Sequence, residues 1–343
     1  MACIGPGKAV GVNAVAIPNA AIPGLNAANF RPHALHSEAA AWPETNCYVD
    51  LWIGVLHTLG LDPSAMLTFS FGTDFEGDQW TFLKPSLDDL WTLYGIDVQE
   101  LNVWDVLSAH VLEQVARGHL PLVEVDSFYL PDTLGTAYRR EHTKTTIGVN
   151  VIDLEGERLD YFHNGGYFAL EGEDLRGVLR IEMAAGERLP PYAEFAKLGR
   201  RMSLPPARLL EASLASARRH LARRPSQNPF GSFRAHLATE SGRRLAGSAE
   251  DYHRYAFASV RQLGAAFQMA AVYVRWLEER RPFGLTDVAV SFDGISDAAK
   301  ALLFKMARAV STRKPLQYEA VLDTMEANWQ SAFGALSARL DCS

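Results

Sequence analysis

The sequence predicts an α+β domain over residues 41–190 followed by an all-α helical domain over residues 196–343. Three observations carry this. Between residues 44 and 185, helix-type and strand-type hydrophobic patterns alternate. From about Pro190 only helical periodicity remains, with arginine pairs at Arg200-Arg201, Arg218-Arg219, Arg223-Arg224 and Arg243-Arg244. The charge also changes: residues 1–195 hold 11 Lys/Arg against 27 Asp/Glu, a balance of −16, and residues 196–343 hold 22 against 13, a balance of +9. Such asymmetry points to an acidic partner for the second half, or to docking of the halves on each other.

Residues 1–40 are rich in Ala, Gly and Pro and lack an unbroken apolar core, so they read as an extended arm and not a signal peptide. GPGKAVG follows no strand and is not a phosphate loop. Residues 44–63 read as an amphipathic helix with Thr45 as N-cap, a buried stripe at Val49, Trp52, Ile53, Leu56 and Leu59, and Gly60 as the stop. Residues 66–71 are strand-like. Residues 86–94 form a short helix ended by Gly95. A strand at 96–101, a helix at 103–117 ended by Gly118 and a strand at 120–129 follow. Residues 142–154 and 157–163 alternate in character around Glu155-Gly156, a hairpin whose inner face carries Ile147, Val149 and Val151. Residues 175–183 add a further strand. In the second half, 249–281 reads as one long helix closed by Pro282, and 302–310 and 318–340 as helices. The boundary falls in LPPYAEFAKLGRRMSLPP, near 190–205.

A chain of 343 residues, 48% apolar and 21% charged, is a soluble globular protein with no run long enough to span a bilayer. Cys3, Cys47 and Cys342 cannot build a disulfide framework, and there is no CxxC, so a reducing cytoplasm is expected. His33, His36 and Glu38 lack a further ligand pattern, and no metal is expected. The net charge of −7 and the absence of interleaved stacking aromatics exclude a nucleic-acid module.

Chemistry centres on Cys47 in the first turn of its helix, where the dipole and free backbone N–H groups favour a thiolate and could receive an oxyanion. The alternative is a small buried hydrophobe in a non-catalytic binding module. Among ten histidines, His142 is the candidate base, because it opens a strand far in sequence from the helix-borne thiol. Asn164, at the end of the next strand, is the candidate orienter. A tight turn sets His142 opposite Ala169, so this needs a bulge; Asp160, Asp126 and His163 remain alternatives. Asn46 is the side-chain candidate for the oxyanion. Asp126 either contacts a substrate amine, orients His142 or caps its own turn. Glu76, in the acidic loop GTDFEGDQW, could accept an ammonium group. Tyr48 and Trp80 could line a pocket, and Arg140 could meet a phosphate.

The runs NCYVDLW, FSFGTDFEGDQW, YGIDVQEL, LPLVEVDSFYLPD, HTKTTIG and YFHNGGYFALEGED together resemble an uncharacterised bacterial family catalogued as domain of unknown function 1839, over nearly the whole chain. Over 45–170 the chain is distantly similar to the N-terminal domain of the butirosin biosynthesis acyltransferase, through Cys47, the Asp126-x-x-x-Leu-Pro run, His142 and Gly148. That resemblance implies a papain-like fold. It also implies thiol acyl transfer from a carrier-protein thioester to a small-molecule amine, with an acidic acyl or aminoacyl carrier protein as partner. No cofactor is implied beyond the carrier's phosphopantetheine arm. The same residues would serve an amide or peptide hydrolase. Papain-like enzymes place a Gln before the cysteine, and here no Gln precedes Gln79.

Overall fold

The computed structural model describes residues 20–38, 40–181 and 189–340; Cys3, Cys342 and the GPGKAVG segment lie outside the described residues. Strands β1 (Asp97–Glu100), β2 (His119–Asp126), β3 (Lys144–Asp153), β4 (Arg158–His163), β5 (Gly166–Glu171) and β6 (Ala193–Lys197) form one antiparallel sheet. Their spatial order is β1-β6-β2-β3-β4-β5. Helices α3 (Leu107–Ala116) and α4 (Gly172–Leu179) cover one face, over Val123, Val125, Ile147, Val149 and Tyr161. Helix α1 (Cys47–Thr58) crosses the other, over Leu122 and Phe162. The first half is therefore α+β, and the second is helical.

Helix α1 is not amphipathic as expected. Every residue from Tyr48 to Leu56 is buried, because the sheet lies on one side and the segment Pro63–Gly72, itself packed on the helical half, on another. Close approach to the sheet depends on Gly148: a Cβ there would stand 3.2 Å from Leu51 Cδ1. The expected strand at 66–71 lies in a buried 3₁₀ segment, Pro63–Gly72. It finds helical neighbours instead of a strand edge: Ser213 Oγ donates to Ala65 O at 2.8 Å, and Thr68 Oγ1 lies 2.9 Å from Ser216 Oγ. The expected strand at 175–183 begins in α4. Two strands, β5 and β6, escaped the sequence reading; β6 lies inside the supposed boundary and pairs with both β1 and β2.

The hairpin bulges at Asn150, between Val149 and Val151. Side chains change faces there, so Val151 leaves the face of Ile147 and Val149 and Ile152 takes its place. Buried Asn150 also clamps the arm: Ile22 N donates to its Oδ1 at 2.7 Å, and its Nδ2 donates to Tyr167 Oη at 2.7 Å.

Helix α2 (Leu87–Tyr94) ends at Gly95, as expected, with φ +67°. Helices α5 (Pro206–Ala222), α6 (Pro229–Ala246), α7 (Ala249–Ala256), α8 (Gln262–Arg280), α9 (Thr286–Thr312) and α10 (Glu319–Leu340) make up the second half. The single helix expected over 249–281 is α7 and α8 joined through a π turn, Phe257–Arg261.

Docking of the halves accounts for part of the charge asymmetry. Asp89 accepts from Arg219 at 2.6 Å and lies 2.7 Å from His220 Nε2; Asp62 accepts from Arg280 at 2.6 Å; Glu44 meets Arg261 at 3.2 Å. Trp42 is the main apolar anchor. Its backbone N–H and C=O pair with Gln268, and its indole donates to Ser296 Oγ at 2.9 Å. The indole lies against Gly264, where a Cβ would come within 2.3 Å of Trp42 Cζ2.

Two substitutions test this anchor. Gly→Ala inside a helix ordinarily stabilises by about 1 kcal/mol. Gly264→Ala should instead destabilise by about 1–3 kcal/mol through overpacking, and Trp42→Ala by about 3–5 kcal/mol, each read as a lowered urea midpoint. An unchanged or raised midpoint in Gly264→Ala would refute the close seating of Trp42.

Candidate functional site

The first turn of α1 is built by Thr45, Asn46 and Asp50. Asn46 is the N-cap, in place of Thr45: its Oδ1 accepts from Tyr48 N at 3.1 Å and Val49 N at 3.0 Å, and its Nδ2 donates to Leu83 O at 2.9 Å. The geometry gives Asn46 a capping role and not that of a free oxyanion donor. Among the described residues, the Cys47 N–H has no hydrogen-bond partner. Thr45 turns the other way and donates its N–H and hydroxyl to buried Asp50 at 2.8 and 2.6 Å. Cys47 is free and half-buried.

His142 stands just before β3, with 67% of its side chain exposed. Its Nδ1 lies 2.6 Å from Asp126 Oδ2, and its ring stacks on Phe128 with centroids 4.4 Å apart. Asp126 uses its other oxygen to cap its own turn, accepting from Phe128 N at 3.0 Å. It thus fills two of the three roles open to it. A carboxylate can only accept, so His142 Nδ1 carries the proton and Nε2 presents a lone pair in the neutral ring.

Asn164 does not orient His142. The register Gly148↔Phe162 sets Asn164 opposite Thr146, four residues from His142 and about 13 Å along the strand. The chain then turns at Asn164, φ +47°, and the bulge at Asn150 shifts the pairing by one residue, too little to close the gap. Asp160 pairs with Arg158 at 2.7 Å. His163 is buried on the opposite face, with Nδ1 2.5 Å from Asp132 Oδ2 and Nε2 2.8 Å from Thr145 Oγ1. Tyr161 donates to Asp132 as well.

Among the described residues no hydrogen bond joins the Cys47 thiol to His142. Alternation along β2 sets Asp126 on the α1 face with Leu122 and Glu124. A cavity of about 210 Å³ opens on that face between Tyr48, the neighbour of Cys47, and Lys144, two residues from His142. Buried Glu194 lies at its base and accepts from Tyr48 Oη at 2.5 Å, Tyr192 Oη at 2.7 Å and Lys84 Nζ at 2.8 Å. Lys84 Nζ also sits 4.4 Å from the centre of the Tyr48 ring. Burial and the adjacent Glu194 carboxylate push the Tyr48 hydroxyl far above the usual phenol range, so it stays a donor. Lys144 pairs with Glu124 at 2.6 Å. The sequence reading found Tyr48 but missed Lys84, Tyr192 and Glu194. The Tyr-x-Glu alternation of a strand was the available signal, hidden where a boundary was expected.

The remaining candidates lie elsewhere. Trp80 is buried among Phe75, Phe230 and Phe233 with centroids 5.3 Å apart, and is core. Glu76 lies on an exposed turn, its Oε1 3.3 Å from Thr81 Oγ1. Arg140 is exposed and makes no ion pair among the described residues, whereas Arg139 binds Glu173 and Asp174. Among the described residues no three His, Cys, Asp or Glu side chains are arranged to hold a metal ion, and no helix is long and apolar enough to cross a membrane.

Burial pushes the Asp50 carboxyl up to about 6, against the opposing pull of His36 when its ring is protonated and of the Thr45 hydrogen bonds. A raised carboxyl favours the folded state below its unfolded value of 3.8, and that contribution is lost as pH rises through about 6. Wild type should therefore lose about 1–3 kcal/mol relative to Asp50→Asn between pH 4 and pH 7. Urea midpoints at each pH check this; a pH-independent difference between the two proteins would refute it.

No curated protein matches the chain. Two family models do: the DUF1839 N-terminal domain over residues 31–198, and the DUF1839 C-terminal domain over residues 206–338. Together they span both the sheet and the helical half, and the chain belongs to the uncharacterised DUF1839 family.

Proposed function

We propose that this chain is a cysteine-dependent acyl or aminoacyl transferase with a papain-like catalytic domain, moving an acyl group from a carrier-protein thioester to a small amine. The observation that carries the reading is the Asp126–His142 pair, which fixes an exposed imidazole at the mouth of β3. Asp126 replaces Asn164 as the positioning residue.

In this reading the Cys47 proton passes to His142 Nε2 and the thiolate attacks the thioester carbon. The oxyanion is received by the Cys47 N–H. Collapse expels the donor thiol, which takes the proton back from His142, and leaves an S-acyl Cys47. The acceptor amine then gives a proton to His142 as it attacks, and Cys47 departs as the thiol. Substrate entering the cavity between Tyr48 and Lys144 must bring sulfur and imidazole together. Basic side chains of the helical half not used in docking are the candidate surface for an acidic carrier.

Intact mass after exposure to an acyl N-acetylcysteamine thioester should show one acyl adduct, absent in Cys47→Ser. His142→Ala should slow its formation by about 100-fold or more, and Asp126→Asn by about 10-fold or more. Added amines should release acyl amide; release of free acid alone would make the enzyme a hydrolase. No adduct on wild type, or an adduct indifferent to His142, would overturn the mechanism.

A further inference from the structure

A second cleft, of about 390 Å³, opens at the other side of the α1 N-terminus, between the arm, the β4–β5 turn and the helical half. Its polar lining is His36, Glu44, Asp132, His163, Asn164 and Arg261. We propose that this cleft is a binding site for a small molecule bearing a protonated amine. The proposal does not depend on Cys47 acting as a nucleophile.

The central observation is His36. Its side chain is 5% exposed, and its Nδ1 lies 2.9 Å from Pro43 O. A carbonyl only accepts, so Nδ1 carries the proton, with Asp50 Oδ1 3.9 Å from the same nitrogen, and whenever the ring is neutral Nε2 is a bare acceptor. That Nε2 is buried with no hydrogen-bond partner. A buried polar atom left unpaired destabilises the fold, and a ligand donor would satisfy it.

The turn is shaped around this ring. A Cβ on Gly165 would stand 2.5 Å from His36 Cγ, so a side chain at 165 would displace the imidazole. Preceding it, Asn164 holds a left-handed conformation, and among the described residues its side chain makes no hydrogen bond.

The other groups select a cation. His163 cannot serve as a free acceptor, since both ring nitrogens are engaged by Asp132 and Thr145. Glu44 and Asp132 border the cleft with one guanidinium, Arg261, which contacts Glu44 at 3.2 Å, while Asp132 already accepts from Tyr161 and His163. The open groups are therefore acceptors: His36 Nε2, the Asn164 carbonyl and the remaining lone pairs of Glu44. An ammonium group can donate to His36 Nε2, the Asn164 carbonyl and Glu44 together, and its charge complements the carboxylates. A hydroxyl offers a single hydrogen and no charge.

Two probes differing only in that group provide the test: 3-aminopropan-1-ol and propane-1,3-diol, titrated into the full chain at pH 7.5 and followed by ligand-observed NMR. The aminoalcohol should bind about tenfold or more tightly than the diol. His36→Phe, which keeps a ring on Gly165 but removes the acceptor, should weaken it about tenfold, and Glu44→Gln severalfold. Glu44 lies on the surface with 53% of its side chain exposed, so that variant remains informative if His36→Phe does not fold. Equal binding of the two probes, no binding of either, or aminoalcohol binding unchanged in Glu44→Gln would overturn the proposal. Cys47→Ser should bind the aminoalcohol like wild type, which separates this site from the thiol chemistry.

Discussion

Burial of α1 on every side is the constraint on which the rest of the structure depends. A helix with Leu51 on Gly148, Gly54 facing Phe162 and Trp52 fully buried has no solvent face along its middle. Only its ends meet water, so polar chemistry there is confined to its first turn and beyond its last. The cap at Asn46, the Thr45–Asp50 pair and the half-buried Cys47 thiol are all consequences of bringing that first turn out of the core.

The sheet beneath sets which residue holds His142. Because β4 ends opposite Ile147, nothing on it reaches His142, and the partner comes from β2, where Asp126 lies directly opposite Lys144. The same termination leaves Asn164 and Gly165 at the rim of a different cleft, packed around His36. The α1 N-terminus thus separates two polar cavities, one bordered by Pro43 and Glu44 and the other by Tyr48. Each is lined by a hydrogen-bonded acid–base pair, Asp132 with His163 in one and Glu194 with Lys84 in the other.

The helical half is part of this arrangement and not an appendage. Trp42 threads between α8 and α9 just before α1 begins, and Arg261, in the π turn, reaches Glu44 at the cleft. The acidic first half and basic second half meet through Asp62, Asp89 and Glu44. The apolar contacts beside them, with Trp80 buried against Phe230 and Phe233, make the two halves one hydrophobic core.

By itself the sequence determined the α+β order of the first half, the helical second half, Cys47 in the first turn of its helix, the glycine stops at Gly95 and Gly118, and His142 as the histidine at a strand mouth. These depend on local periodicity, caps and turns, which act over a few residues and are legible in one chain. Tertiary structure alone decided that Asp126 and not Asn164 holds His142, that 63–72 is 3₁₀ and not strand, that β6 belongs to the sheet, and that Glu194, Lys84 and His36 line cavities. Each follows from register, from a bulge, or from which surface a segment finds to bury itself against, and those are contacts between residues that no local pattern brings together.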